Sequence, residues 1–463
     1  YQVFWPNAEG GAAVGGGLTS DCISVAGSAV NPATGSVRFP MLTAGVPMDI
    51  ISYDAPSCAG SSVTYNAENG FLFTIPALLS VDIGGTNNTM VLSHDPCDFT
   101  AGNLATPVQV NVSPETPPLL EVVCNGNQLG AINASPGLNY LLKRNISLAG
   151  TTYDDSVVTT IFTGQLLGEG HEIADLTINQ TSGTSSIGLF SELDGAEIRD
   201  LRIRNFNITT ADSADVGALA GRINDSTTGS RLEFLIAHDI FIDSSATSLI
   251  SGIGGLIGSM TNGTGTTPDS SVSGVFMGNV NINVSDDLFG IGGAIGVMTD
   301  NINMPVALRG ILIKDLTVTQ SEPITSGYGL GGVVGKIIGT NNNAELFGAT
   351  VKNINMGTAA NRLGFPEVGG IVGATDQGRL LFNSASSGSI YTNQIMLGGI
   401  VGNCDSSEVD VAISNLTLNS SFAGAGGNVG GIFGTVNTKN TMNLTVTNLF
   451  SNSIITCGQN CGG

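Results

Sequence analysis

GGLIG at Gly254–Gly258, GGAIG at Gly292–Gly296, GGVVG at Gly331–Gly335, GGIVG at Gly369–Gly373, GGIVG at Gly398–Gly402 and GGIFG at Gly430–Gly434 are six copies of one pattern. Their starts lie 38, 39, 38, 29 and 32 residues apart. A period of this size marks a repeat architecture, in which each unit buries its apolar face only against its neighbours. Weaker copies at Gly217–Gly221 (GALAG) and Gly164–Gly168 (GQLLG) carry the array back to about residue 160.

A second unit, apolar-x-Asp/Asn-apolar-x-apolar, alternates with the first: IRDLRI at Ile198–Ile203, AHDIFI at Ala237–Ile242, IKDLTV at Ile313–Val318, VKNINM at Val351–Met356 and ISNLTL at Ile413–Leu418. Both units are short, alternate apolar with polar residues and are bounded by Gly, Asn, Ser and Thr, which is a strand-and-turn pattern. The expected fold is therefore all-β, a right-handed parallel β-helix, with an antiparallel β-sandwich before it. A coil of three short strands needs roughly 18 to 25 residues, so each period is expected to hold two coils, giving about 16 coils and a rod near 80 Å long. The paired glycines Gly254 and Gly255, Gly292 and Gly293, Gly331 and Gly332, Gly369 and Gly370, Gly398 and Gly399, and Gly430 and Gly431 are assigned to corners. There φ is positive or a neighbouring coil comes close. Asp315, Asn353 and Asn415 are expected to stack as a side-chain ladder at a turn, since Asn and Asp tolerate left-handed geometry.

The block with its apolar neighbours resembles the GLUG motif, found in repeat arrays of bacterial surface proteins that include adhesin-like chains and the non-catalytic part of some immunoglobulin A proteases. The resemblance covers about 160 to 435 and implies secretion, a β-solenoid, and a display or adhesion role. It does not carry protease activity, because that chemistry needs H-E-x-x-H, and His171-Glu172 is followed by Ile173, Ala174 and Asp175 with no second histidine.

Composition narrows the function classes. The 463 residues include 65 glycines, 11% charged residues and 41% hydrophobic ones, against about 25% charged in an ordinary soluble domain. A formal charge of -22, from 37 acids and 15 bases, opposes phosphate contact and argues against nucleic acid as a partner. Glycines interrupt every apolar run before the roughly 18 residues of a membrane span. The chain opens on Tyr1 without a basic, apolar leader, which reads as an exported product whose signal has been removed. Of seven cysteines, Cys22, Cys58, Cys97 and Cys124 cluster early, and Cys457 and Cys461 sit four apart near the C-terminus. None has paired metal-ligand spacing, so disulfides in an oxidising, extracellular compartment are the expectation, with Cys404 left as a buried thiol. The boundaries read as 1–17, an N-terminal strand or extension; 18–125, a disulfide-bonded sandwich; 126–456, the β-helix; and 457–463, a disulfide-clipped tail.

Candidate chemistry is sparse. The densest charged group is Asp154, Asp155, Glu169, His171, Glu172 and Asp175 with Arg199, Asp200, Arg202 and Arg204. Strand alternation turns Leu201 and Ile203 inward and leaves Asp200, Arg202 and Arg204 outward, an arrangement that a cross-strand ion ladder explains more simply than catalysis. Asp212, Asp215 and Asp225 could offer oxygen ligands to calcium, although carboxylates in a solvated loop are the simpler reading. No cofactor is expected. The dozen or so N-x-S/T sequons, such as Asn145, Asn207 and Asn283, are about as many as this composition yields by chance.

Tyr1, Val3, Phe4 and Trp5, in YQVFW, form a β-prone segment that serves either as the first strand of the sandwich or as a strand donated to a neighbouring copy. The expected function is a non-enzymatic, secreted or surface-displayed structural protein. It would be a filament subunit or stalk whose partner is itself, with host or matrix glycans as further partners. The alternatives are a monomeric glycan-binding adhesin and a polysaccharide lyase or hydrolase.

Overall fold

A computed structural model describes residues 121–456, apart from loop positions 184–185, 212–214, 227, 245–251, 263–269, 286–289, 300–305, 322–328, 340–343, 377–381, 394–395, 405–407, 421–427, 437–444 and 448–449. Before residue 121 it describes the backbone of short strands, after 456 that of Cys461–Gly462, and within Glu408–Ser420 the backbone alone. The chain divides into two units, Tyr1–Val122 and Val123–Gly463. In the first, four antiparallel pairs are described: Ile23–Val25 with Ile50–Ser52, Ala29–Asn31 with Ser36–Arg38, Ser62–Asn66 with Gly70–Thr74, and Val108–Val110 with residues 120–122.

The second unit is a parallel β-solenoid made of one large sheet, which holds the long strands, and two 8-stranded sheets. One coil shows the plan. A long strand, Arg231–Ser244, leads to a short one, Gly252–Gly254. The chain turns through Gly255 and Leu256 into Ile257–Asn262, then enters the next long strand, Ser270–Val284. Residues one period apart lie side by side: Ile253 pairs with Ile291, Ile291 with Leu330, Leu330 with Val368, Val368 with Leu397, and Leu397 with Val429. One period is thus one coil, not two. The expected 16 coils and 80 Å are too many and too long. Eight strands at about 4.8 Å give each short-stranded sheet a length of about 34 Å.

The estimate failed because the long strand turns two corners without leaving its sheet. Asp200, Phe234, Gly274, Gly310 and Gly348 occupy the first corner in successive coils, with φ of 53, 56, 64, 64 and 70°. Asn205, Asp239, Asn279, Asp315 and Asn353 occupy the second, with φ of 56, 56, 52, 62 and 58°. Each left-handed residue resets the in-out alternation. In Val306–Gln320 the neighbours Arg309 and Gly310, and again Lys314 and Asp315, are both exposed, while Leu308, Ile311, Ile313, Leu316 and Val318 all point inward.

Those inward residues form columns. Leu232, Val272, Leu308 and Leu346 stack in one, and Ile242, Ile282, Val318 and Met356 in another, all at most 1% exposed. Each such side chain contributes about 1.5–3 kcal/mol of burial. At the N-terminal end of the solenoid, the helix Gly126–Ala131 is capped by the Asn125 side chain and buries Leu129, and Ile132 follows in the same core. Beside it the rings of Tyr140, Phe162 and Phe190 pack at 6.2 and 5.0 Å between successive centroids.

The paired glycines do not take positive φ, so only the close-approach half of that expectation holds. A Cβ on Gly254 would land on the carbonyl oxygen of Ile257, and one on Gly255 on that of Gly293 in the next coil. The closing glycine of each block behaves alike: a Cβ on Gly258 would strike the backbone of Val216, and one on Gly296 that of Ile253. The two short-stranded sheets therefore meet backbone to backbone, closer than the roughly 10 Å separating sheets with side chains between them.

Candidate functional site

The charged group in the first coils lies on the outer face, as strand alternation places it. Leu201 and Ile203 are 1% and 3% exposed, while Arg202 and Arg204 point to solvent. Two ion pairs run across coils: Glu169 with Lys143, which the sequence grouping left out, at 2.5 Å, and Arg204 with Glu172 at 3.0 Å. Arg199 pairs with Glu197 on the same strand. Glu172 holds the Arg204 guanidinium protonated to still higher pH than usual. His171 faces the Asn145 amide oxygen at 3.4 Å, and that oxygen also accepts the backbone N–H of Glu172. This is a ladder of exposed ion pairs, each weakened by solvent screening.

Beside it runs the second-corner ladder, which extends further than its sequence signature. Asp175, Asn205, Asp239, Asn279, Asp315 and Asn353 lie in register over six coils, with acid and amide alternating. Each Asn donates Nδ2–H to the Oδ1 of the Asp before it, at 2.7 Å in all three pairs. The Asn205 amide and the Ser147 hydroxyl hold the Asp175 carboxyl below its ordinary range. Asn415 falls where only backbone is described.

The calcium reading of Asp212, Asp215 and Asp225 meets a different geometry. Asp212 lies outside the described residues, and the other two are buried at 2% and 1% exposure, not set in a solvated loop. Asp225 accepts the N–H groups of Gly195 and Ser230 at 2.8 and 2.7 Å, and the hydroxyls of Ser230 and Ser270. A carboxylate with that many protein donors is a structural anchor. Asp215 opens the short strand Asp215–Gly217. Burial pushes its carboxyl up to about 6, against the opposing effects of the Ser259 hydroxyl, Arg222 and the Gly252 N–H, and its Oδ1 has no hydrogen-bond partner. Among the described residues, no three His, Cys, Asp or Glu side chains are grouped to hold a metal.

Cys404 is fully buried and its sulfur is outside any disulfide, whereas that of Cys124 is not. Cys22, Cys58, Cys97 and Cys457 lie outside the described residues, the side chain of Cys461 is not described, and Tyr1, Val3, Phe4 and Trp5 also fall outside. Sequence reasoning missed one outer-face feature, Phe234, which is 62% exposed in a corner where other coils carry Asp or Gly. Aligning the long strands one coil apart would have exposed that mismatch.

Three comparisons bear on this arrangement. The family model for the N-terminal region of the M26 IgA1-specific metallo-endopeptidase matches residues 126–233, less than half of the chain. Halomucin of Haloquadratum walsbyi is 40% identical over 78 residues, which is 17% of this chain and 1% of halomucin's length. The crystal structure of a putative immunoglobulin A1 protease from Bacteroides ovatus aligns with a TM-score of 0.32 at 14% identity, over 73% of this chain and 78% of that one. No helix of the described residues is long and apolar enough to cross a membrane.

Proposed function

We propose that this chain is a secreted or surface-displayed structural protein, a stalk or a subunit of an extracellular filament. The observation that carries the reading is the repeat itself. Six glycine blocks stack like upon like over one continuous apolar core, and outward charges of the first coils pair between coils in Lys143–Glu169 and Arg204–Glu172. Such a body supplies length and stiffness. The match at residues 126–233 is to the N-terminal region of a peptidase family and falls on solenoid coils, which agrees with a scaffold role.

In the filament form, Tyr1, Val3, Phe4 and Trp5 are donated as a β-strand to a neighbouring copy, and the main partner is a second copy of the chain. Disulfides among Cys22, Cys58, Cys97 and Cys124, with a Cys457 to Cys461 clip, suit an extracellular setting. Removing residues 1–10 is expected to abolish polymers seen by electron microscopy while leaving the β-sheet circular dichroism unchanged. Unaltered polymers would refute strand donation, and a monodisperse monomer by light scattering at high concentration would refute the filament.

A further inference from the structure

The core columns that run through the long strands lose their apolar side chains at one coil. Along one column Ala237, Met277, Ile313 and Val351 are succeeded by Ser386, and along another Ile240, Val280, Leu316 and Ile354 are succeeded by Gly388. Of the side chains described on the strand Phe382–Thr392, the buried ones are Ser384, Ser386, Ile390 and Thr392. Two coils earlier, Val306–Gln320 buries Leu308, Ile311, Ile313, Leu316 and Val318. Ser386 donates to the Gly399 carbonyl at 2.6 Å, whereas Ser384, 1% exposed, leaves its hydroxyl without a hydrogen-bond partner. A buried hydroxyl in that position weakens a fold, because it has given up water and gained nothing in exchange.

The backbone is irregular at the same place. The register slips between Val351 and Ile354, so that Lys352 and Asn353 stand opposite the single residue Ser387. The slip interrupts the Asp/Asn ladder at Asn353, and the spacing of the glycine blocks falls from 38 residues to 29 between Gly369 and Gly398. The two short-stranded sheets, in contrast, cross this coil without a break. Val368 pairs with Leu397 and Val372 with Val401, and Leu397, Ile400 and Val401 are fully buried. One wall of the coil is packed like its neighbours and the other is not.

We infer that this coil is a flexible joint in the rod: the large sheet opens at Phe382–Thr392 while the short-stranded sheets hold, and the coils on either side bend about them. In a repeat array each coil is held only by its neighbours, so one weak layer uncouples the stretches it separates. The use of the joint, to let a stalk bend, rests on the structural role proposed above. The joint itself rests on the core of the solenoid and stands or falls separately from polymerisation.

The test is hydrogen–deuterium exchange of the full chain, read by mass spectrometry. Amides of Phe382–Thr392 should exchange roughly tenfold faster than those of Thr350–Met356 before it and of Met396–Gly398 and Val401–Cys404 after it. Ser384→Ala removes the unpartnered hydroxyl without adding volume, and should slow exchange at Phe382–Thr392 about threefold while leaving Val306–Gln320 unchanged. The inference is overturned if these segments are equally protected, or if protection declines evenly toward the C-terminus as at a fraying end. It is equally overturned if Phe382–Thr392 exchanges in Ser384→Ala as it does in the parent.

Discussion

At the residue scale, Asp215 places an ionisable group where solvent cannot reach it. Its pKa is raised from 3.8 to about 6 by burial, so the folded state holds the proton more tightly than the unfolded chain. The stabilising contribution is full below about pH 4 and is lost as pH rises through about 6, leaving a penalty on the order of 3 kcal/mol at neutral pH. Asp215→Asn keeps an acceptor for the Ser259 hydroxyl and the Gly252 N–H without the charge. It is expected to stabilise the protein by about 1–3 kcal/mol at pH 8 and to flatten the stability profile between pH 4 and 6, as read from urea unfolding across pH. The sequence singled out Asp215 only as a carboxylate that could reach calcium beside Asp212 and Asp225, not as a buried acid. Asp215 sits in a run of Asp, Ser and Ala that reads as a loop, and only the stacking of Asp215 on Gly252 reveals that it has been drawn inside.

At the element scale, the long strand explains both what was legible and what was not. Its apolar alternation announced strands, and the recurring Asp or Asn announced a left-handed ladder that Asp315 and Asn353 form. The first corner was hidden because Asp200, Phe234 and Gly274 share no side-chain chemistry, only a backbone angle, so fifteen residues looked like separate strands. The alternation of acid and amide in the ladder keeps carboxylates two coils apart. Asn279→Asp would set three of them in consecutive coils at ~4.8 Å and remove a donor to Asp239. The expected loss at pH 7 and low salt is about 1–2 kcal/mol. It should shrink in high salt, and an unfolding series in which added salt restores no stability would contradict the ladder's role.

At the scale of the whole molecule, the period of one coil makes the rod modular. Because Ile253 and Ile291 are neighbours in register, excising residues 254–291 joins two blocks in phase, with Gly292 taking the place of Gly254. Excising 254–330 does the same one coil further on, with Gly331 in that place. Both shortened chains are expected to fold, with circular dichroism of the parent type and rods shorter by about 5 and 10 Å in small-angle scattering. They should differ in stability, for a reason that lies in the ladder. The single excision brings Asp239 against Asp315, acid on acid, whereas the double excision brings Asp239 against Asn353 and keeps every acid beside an amide. Charge thus gives this stretch of the rod a parity: coils are added or removed more favourably in twos than in ones.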